Sequence, residues 1–163
     1  MASSQAIIVM GPSGCGKSTV GSALAAKAGW PMVEGDDHHP PANIAKMSAG
    51  EALSDADRVA WLDQLVAAMD GLEADTIVAS CSALTPYVQS RLAQDSRRHI
   101  RFVLLNLTRD QLAQRLNARA DHFMAPELLD SQIDALSVPE GALVVSADRP
   151  VAKLVDAIIA NLS

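Results

Sequence analysis

The sequence predicts an α/β fold of three layers, with a central parallel sheet of about five strands and helices on both faces. Three observations predict it. Aliphatic runs alternate with helical patterns along the chain. The runs are nearly continuous in apolar residues, as strands covered on both faces require. No internal repeat or low-complexity linker divides the 163 residues, so residues 1–163 read as a single domain.

The elements follow in order. Ile7-Ile8-Val9-Met10 marks a buried strand over 6–10, and Val20, Leu24 and Ala28 form a stripe on a helix over 17–28. A second strand is expected over 31–34. Asp55 is placed as the cap of a helix over 56–70 whose inner face carries Trp61, Leu62, Leu65 and Met69. The run Thr76-Ile77-Val78-Ala79-Ser80-Cys81 gives a strand over 75–81. A helix over 86–95, a strand over 100–107 and helices over 109–119 and 126–136 come next, then a strand over 142–146. The last helix, 150–162, starts at Pro150 and repeats Val151, Leu154, Val155, Ile158, Ile159 and Leu162 at three-four spacing. In such sheets ligands sit at the carboxyl ends of the strands, here just after Met10, Val33, Cys81, Leu107 and Ser146.

Composition narrows the partners. A net charge of -6 offers no basic excess to meet a nucleic-acid backbone. Aromatic residues make up 3% against 49% hydrophobic, so the core must be built from Ala, Val, Leu, Ile and Met. Cys15 and Cys81 belong to no C-x-x-C pair and read as reduced thiols. The chain starts without a basic leader or a long apolar segment, so the expectation is a cytoplasmic protein with no membrane partner.

Gly11-Pro12-Ser13-Gly14-Cys15-Gly16-Lys17-Ser18 matches the phosphate-binding pattern G-x-x-x-x-G-K-[ST] at every fixed position. Its context, a strand before and a helix after, is the one the pattern needs, and it specifies a P-loop NTPase fold. Gly11, Ser13, Gly14, Cys15, Gly16, Lys17, Ser18 and Thr19 are the candidate ATP phosphate contacts. Backbone N–H groups of the curled loop point at phosphate oxygens, and the helix directs its positive end at them. Lys17 reaches the β- and γ-phosphates and Ser18 can ligate Mg²⁺.

After the second strand, Glu34-Gly35-Asp36-Asp37-His38-His39-Pro40 crowds three carboxylates and two histidines where the chain should face that loop. A capped, solvated turn would use the same residues. The third strand ends without a carboxylate, so the 34–37 loop is the best supplier for Mg²⁺ or for taking a hydroxyl proton. The histidines do not follow zinc spacing. Arg58 projects from a first helical turn, a poor place for a cation, and either pairs with Asp55 or meets an anion. Arg115 and Arg119 share a helix face. With His122-Phe123-Met124 they read as a lid over about 117–136, closing on the triphosphate, or else as a solvated helix end.

These blocks together resemble the gluconokinases, small P-loop kinases related to shikimate and adenylate kinases. The resemblance rests on GPSGCGKST at 11–19, EGDDHHP at 34–40, Asn43, Lys46-Met47, Gly50, Leu53, Asp55, Asp57, Arg58 and Trp61-Leu62. It continues through Cys81-Ser82-Ala83-Leu84, Arg119, His122-Phe123-Met124, Leu128-Leu129 and Ser131-Gln132. It implies phosphorylation of the 6-hydroxyl of gluconate by Mg-ATP in a homodimeric enzyme. It also implies roles. Lys17, Asp36, Arg115 and Arg119 would be catalytic, with Asp36 orienting or deprotonating the sugar hydroxyl. His39, Arg58 and His122 would join Asp36 in binding the sugar acid. Ser18 and Glu34, the latter directly or through water, would hold the metal.

The chain departs from the family where Lys, Tyr and Arg usually follow Cys-Ser-Ala-Leu; here stand Thr85, Tyr87 and Val88. Leu136-Ser137-Val138-Pro139 replaces the usual Leu-Glu-x-Pro. Arg91 is a candidate substitute one turn later, and Arg97 and Arg98 lie in the same half. The same mechanism on another small sugar acid or polyol is the alternative, and a nucleotide-binding switch without an acceptor is a third reading.

Overall fold

The computed structural model describes residues 4–118 and 126–162. Five strands form one parallel sheet in the order β2-β3-β1-β4-β5. They are β1 (Gln5–Met10), β2 (Met32–Glu34), β3 (Thr76–Ser80), β4 (His99–Asn106) and β5 (Leu143–Ser146). Register pairs Val9 with Ser80 on one side of β1 and with Val103 on the other. Among the described residues seven α-helices connect and cover the strands: α1 (Lys17–Ala28), α2 (Pro41–Ser48), α3 (Asp55–Asp70), α4 (Pro86–Asp95), α5 (Arg109–Asn117), α6 (Pro126–Ala135) and α7 (Val151–Leu162). Among the described residues no helix is long and apolar enough to cross a membrane.

The alternation of side chains along β1 splits the core in two. Ile7 and Val9 join Val20 and Leu24 of α1, Leu112 and Leu116 of α5, and Leu154, Val155 and Ile158 of α7. Ala6, Ile8 and Met10 face the other way, onto Trp61, Leu62, Leu65 and Met69 of α3 and Val88 and Leu92 of α4. Every residue from Ala6 to Met10 is fully buried, which explains why the strand reads as a continuous apolar run.

The structure changes two local expectations. Residues 41–48, left without an element in the sequence reading, form α2. Pro41 takes the first helical position, but only Asn43 is buried, while Ile44 and Met47 point outward. No buried apolar stripe exists there for periodicity to detect. Asp55 is not the cap of α3. Ser54 is: its hydroxyl accepts from the Asp57 amide at 3.2 Å, and the Asp57 carboxylate accepts from the Ser54 amide at 2.8 Å.

Arg97 and Arg98 lie beside the amino ends of the strands, opposite the loops that follow their carboxyl ends. Arg98 is 2% exposed and donates to the carbonyls of Met69 (3.0 Å), Leu72 (2.7 Å), Ala74 (2.8 Å) and Asp75 (3.2 Å). Burial pulls its guanidinium below the ordinary arginine pKa. Arg97 is spent on Asp70. Neither supplies a cation to the acceptor side.

Candidate active site

The phosphate loop follows β1 directly. Gly11, Gly14 and Gly16 all have positive φ, at 145°, 89° and 96°. At Gly11 a Cβ would also lie 2.8 Å from the Cys15 Sγ and 3.1 Å from the Leu105 carbonyl oxygen, so no side chain fits. Gly16 occupies the cap position of α1 in the left-handed region, without a side-chain cap, leaving the first-turn amides of α1 for a ligand. The Lys17 ammonium donates to the Pro12 carbonyl at 3.3 Å and so lies folded along its own loop. Cys15 is buried within the loop, and burial raises its thiol above the usual range. It serves packing, not chemistry.

The loop after β2 comes onto the phosphate loop through one contact. The Ser18 hydroxyl donates to Glu34 Oε1 at 2.9 Å. Ser80, 1% exposed at the end of β3, donates to the same oxygen by a short hydrogen bond. Ser80 thus stands where a carboxylate was missed at the third strand's end, and it holds a carboxylate carried by β2. The close approach depends on Gly35, where a Cβ would sit 2.2 Å from the Ser80 carbonyl oxygen. Among the described residues there is no cluster of three or more His, Cys, Asp or Glu that could hold a metal. One hydroxyl and one carboxylate side by side are hard oxygen donors of the kind that suits Mg²⁺, and Ser18 and Glu34 would hold it here.

A short 3-10 turn over Gly35–His38 carries Asp36, whose side chain is 70% exposed at the mouth of the site. His39 is the opposite case, with a side chain only 6% exposed. Its ring stacks on Trp61 of α3 at 4.5 Å between centroids and 10° between planes. Trp61 is itself fixed by its indole N–H, which donates to the Gly35 carbonyl at 2.8 Å. His39 Nε2 faces Asp36 Oδ1 at 3.8 Å, and Asn43 of α2 approaches Nδ1 at 3.3 Å. Burial lowers the His39 pKa below its ordinary value; Asp36 opposes that and Arg58 reinforces it. The ring is therefore neutral at neutral pH. Arg58 donates to Asp55 at 3.2 Å, the local pair that the sequence left open, while remaining near enough to influence His39.

Arg115, which the sequence groups with Arg119 in the lid, sits at the phosphate loop. It lies on α5 and donates to the carbonyls of Cys15 at 3.1 Å and Ala147 at 2.9 Å. The guanidinium is already at the phosphate loop, because α5 packs beside it through Leu112 and Leu116. A cavity of about 270 Å³ opens beside it, lined by Gly16, Thr19, Arg115, Ala147, Arg149 and Val151. Arg119 and His122 lie outside the described residues, as does most of the expected lid before α6.

Several site residues escaped sequence reasoning. Gln132 of α6 accepts from the Ser13 amide at 2.8 Å, joining positions 119 apart. Ser80 reads in the sequence as a strand residue and Trp61 as a core residue within the family pattern, neither with a role at the site; the pairing of Glu34 with Ser80 across β2 and β3 has no local signal. Asn43 was noticed without a role, although its four-residue spacing from His39 was available. The departures from the family pattern also find physical places. Thr85 caps α4, accepting from the Val88 amide at 3.4 Å, and Val88 is 2% exposed in the core. Arg91 is held by Asp63 (2.7 Å), Asp95 (2.5 Å) and the Tyr87 hydroxyl (3.0 Å), so it does not stand in for the absent cations.

The chain is similar to known proteins over most of its length. An AAA domain family model matches residues 7–132. A gluconokinase of Gluconobacter oxydans (strain 621H) is 41% identical over 88% of this chain and 83% of its own length. The thermosensitive gluconokinase of Escherichia coli (strain K12) is 39% identical over 83% of this chain and 73% of its own. The crystal structure of a gluconokinase from Sinorhizobium meliloti 1021 superposes with a TM-score of 0.86 at 38% identity, covering 99% of this chain and 91% of that one.

Proposed function

Because the chain belongs to the gluconokinase family of P-loop kinases, we propose that it transfers the γ-phosphoryl group of Mg-ATP to the 6-hydroxyl of D-gluconate, giving 6-phosphogluconate and ADP. The observation that carries this reading is the Ser18–Glu34 contact, which brings the acid–histidine loop against the phosphate loop. The two halves of a transfer site then lie side by side.

The residues divide the work. The amides of Ser13 to Thr19 cradle the phosphates, that of Ser13 on leaving Gln132, and Lys17 leaves the Pro12 carbonyl to follow the transferring group. Arg115 neutralises charge from a position already fixed, and Arg119 adds a second cation from the lid over about 117–136. The 6-hydroxyl oxygen attacks the γ-phosphorus as the bond to the β-phosphate oxygen breaks, and ADP leaves. Asp36 accepts the hydroxyl proton. His39 and His122 hold the sugar hydroxyls, and Arg58 turns from Asp55 to the carboxylate of the acid. Mg²⁺, when bound, neutralises the β- and γ-phosphates; Ser18 and, directly or through water, Glu34 would hold it. The cavity between Thr19, Arg149 and Val151 suits the nucleoside. We further place the enzyme in the cytoplasm as a homodimer.

The test is acceptor-dependent ADP release with Mg-ATP, comparing D-gluconate with other sugar acids and neutral polyols. A strong preference for gluconate is expected. Turnover of a different acceptor would keep the phosphoryl-transfer chemistry and overturn the substrate. ATP binding with no acceptor response would overturn the kinase reading.

A further inference from the structure

Asn43 is a buried polar side chain, 5% exposed, on a helix whose other residues are largely solvated. Its carboxamide nitrogen has two hydrogens, and both have partners. One goes to the Asp57 carbonyl at 2.8 Å. A carbonyl can only accept, so the atom facing it must be the amide nitrogen and not the oxygen. The same nitrogen lies 3.3 Å from His39 Nδ1. A donor there requires Nδ1 to be the unprotonated ring nitrogen. The ring proton of a neutral imidazole then has one place left, Nε2, and Nε2 is the atom that faces Asp36 at 3.8 Å.

We propose that Asn43 is a positioning residue that fixes His39 as its neutral Nε2–H tautomer, so that the ring offers a donor beside Asp36 to the acceptor's hydroxyl. This deepens the reading of Asp36 as proton acceptor and rests on it. A hydroxyl oxygen seated against both groups accepts from Nε2–H and donates its own proton to Asp36. The other tautomer would present a lone pair there and compete with Asp36 for the same proton. An imidazolium would orient the oxygen equally well. It would also stabilise the Asp36 carboxylate and weaken it as a base.

The surroundings are consistent with one neutral state. Asp36 faces the ring from the 3-10 turn, Arg58 and the stacked Trp61 from α3, and Asn43 from α2. Asn43 is anchored in turn. The Asp57 carbonyl it holds belongs to the first turn of α3, which the Ser54 capping box and the Lys46–Asp57 ion pair (2.6 Å) fix in place. The tautomer is thus set by the junction of α2 and α3, outside the reacting groups themselves.

The experiment is long-range proton–nitrogen correlation NMR on the intact enzyme labelled at histidine nitrogen, at pH 7.5. For His39 the expected spectrum has a pyridine-like Nδ1 and a pyrrole-like Nε2. A protonated Nδ1, alone or with Nε2, would overturn the proposal. Asn43→Asp places a second acceptor against Nδ1 and is expected to move the proton onto it. That variant should lower kcat by on the order of tenfold to a hundredfold, with the KM for ATP unchanged. An unchanged spectrum and kcat would count against the idea. In a His39→Ala background the same substitution should lower kcat no further; independent, multiplying losses would show that Asn43 acts by another route. If Asn43→Asp does not fold, the wild-type spectrum still decides. A wrong acceptor would appear in the ADP-release assay and leave the nitrogen shifts as they are.

Discussion

Replacing Gly35 by alanine should separate acceptor chemistry from nucleotide binding. Gly35 follows β2, and an added Cβ would lie 2.2 Å from the Ser80 carbonyl oxygen. Real Cβ contacts do not fall below 3.0 Å, so the backbones must part by about 0.8 Å. Both are main chain, so no side-chain rotation relieves the clash. The displacement would pull on three bonds at once: the Trp61 indole to the Gly35 carbonyl, the Gly35 amide to Ser80, and Ser80 to Glu34. Overpacking of this kind costs roughly 1–3 kcal/mol. For a domain of this size that is a fall of about 2–12 °C in Tm. A shift of nearly 1 Å at Asp36 should lower kcat by about a hundredfold. Thermal melts, ADP release at saturating acceptor and titration with ATP measure the three effects. ATP affinity should fall far less than kcat, since the phosphate-loop amides do not move and only the Glu34 side of the metal site is pulled. Gly29→Ala, with a positive φ of 74° but nothing within 4 Å of its added Cβ, is the control. It should lose about 1 kcal/mol of stability and no kcat. Near-normal kcat for Gly35→Ala, or a loss of ATP affinity equal to the loss of kcat, would refute the reasoning.

Three further outcomes are expected. Asp36→Asn should lower kcat at least a hundredfold while ATP binding persists, since it removes only the proton acceptor; parallel losses in rate and ATP affinity would assign Asp36 to the metal instead. Arg98→Met should cost about 3 kcal/mol or more, because five carbonyls lose the guanidinium as a donor, and a Tm within 2 °C of wild type would contradict that. His39 has a folded pKa below its unfolded 6.5, so its protonation favours the unfolded chain. Its contribution is present above pH 6.5 and is lost as pH falls through the lower folded value. His39→Gln should therefore flatten the pH dependence of Tm below pH 6.5; an unaltered slope would place the effect on another group.

The sheet was legible because β1 and β3 are buried on both faces, and full burial writes itself as unbroken apolar runs. The phosphate loop was legible because its glycines and Lys17 are dictated by one local turn. The carboxylate on β2 was located by position, but its partner Ser80 was not, since that contact is made by lateral pairing of strands 46 residues apart. Arg115 groups with the lid in the sequence because it stands four residues before Arg119, whereas its contacts to the Cys15 and Ala147 carbonyls come from α5. Its reach is set by the packing of α5 against the loop, which four-residue spacing does not encode. Helix α2 was missed because it faces solvent with Ile44 and Met47 and shows the protein only Asn43.

The division of the core described for β1 has a bearing on inheritance. The α1, α5 and α7 side lies under the phosphate loop and the cavity beside Arg115, while the α3 and α4 side supports Trp61, and through it His39 and Gly35. Strands β1, β3 and β4 feed both sides, and the sheet they form separates them. Substitutions accumulating beneath the acceptor should therefore combine with those beneath the nucleotide as independent, additive changes. Such a lineage is free to retune which hydroxyl it phosphorylates while its grip on the phosphate donor stays as it was.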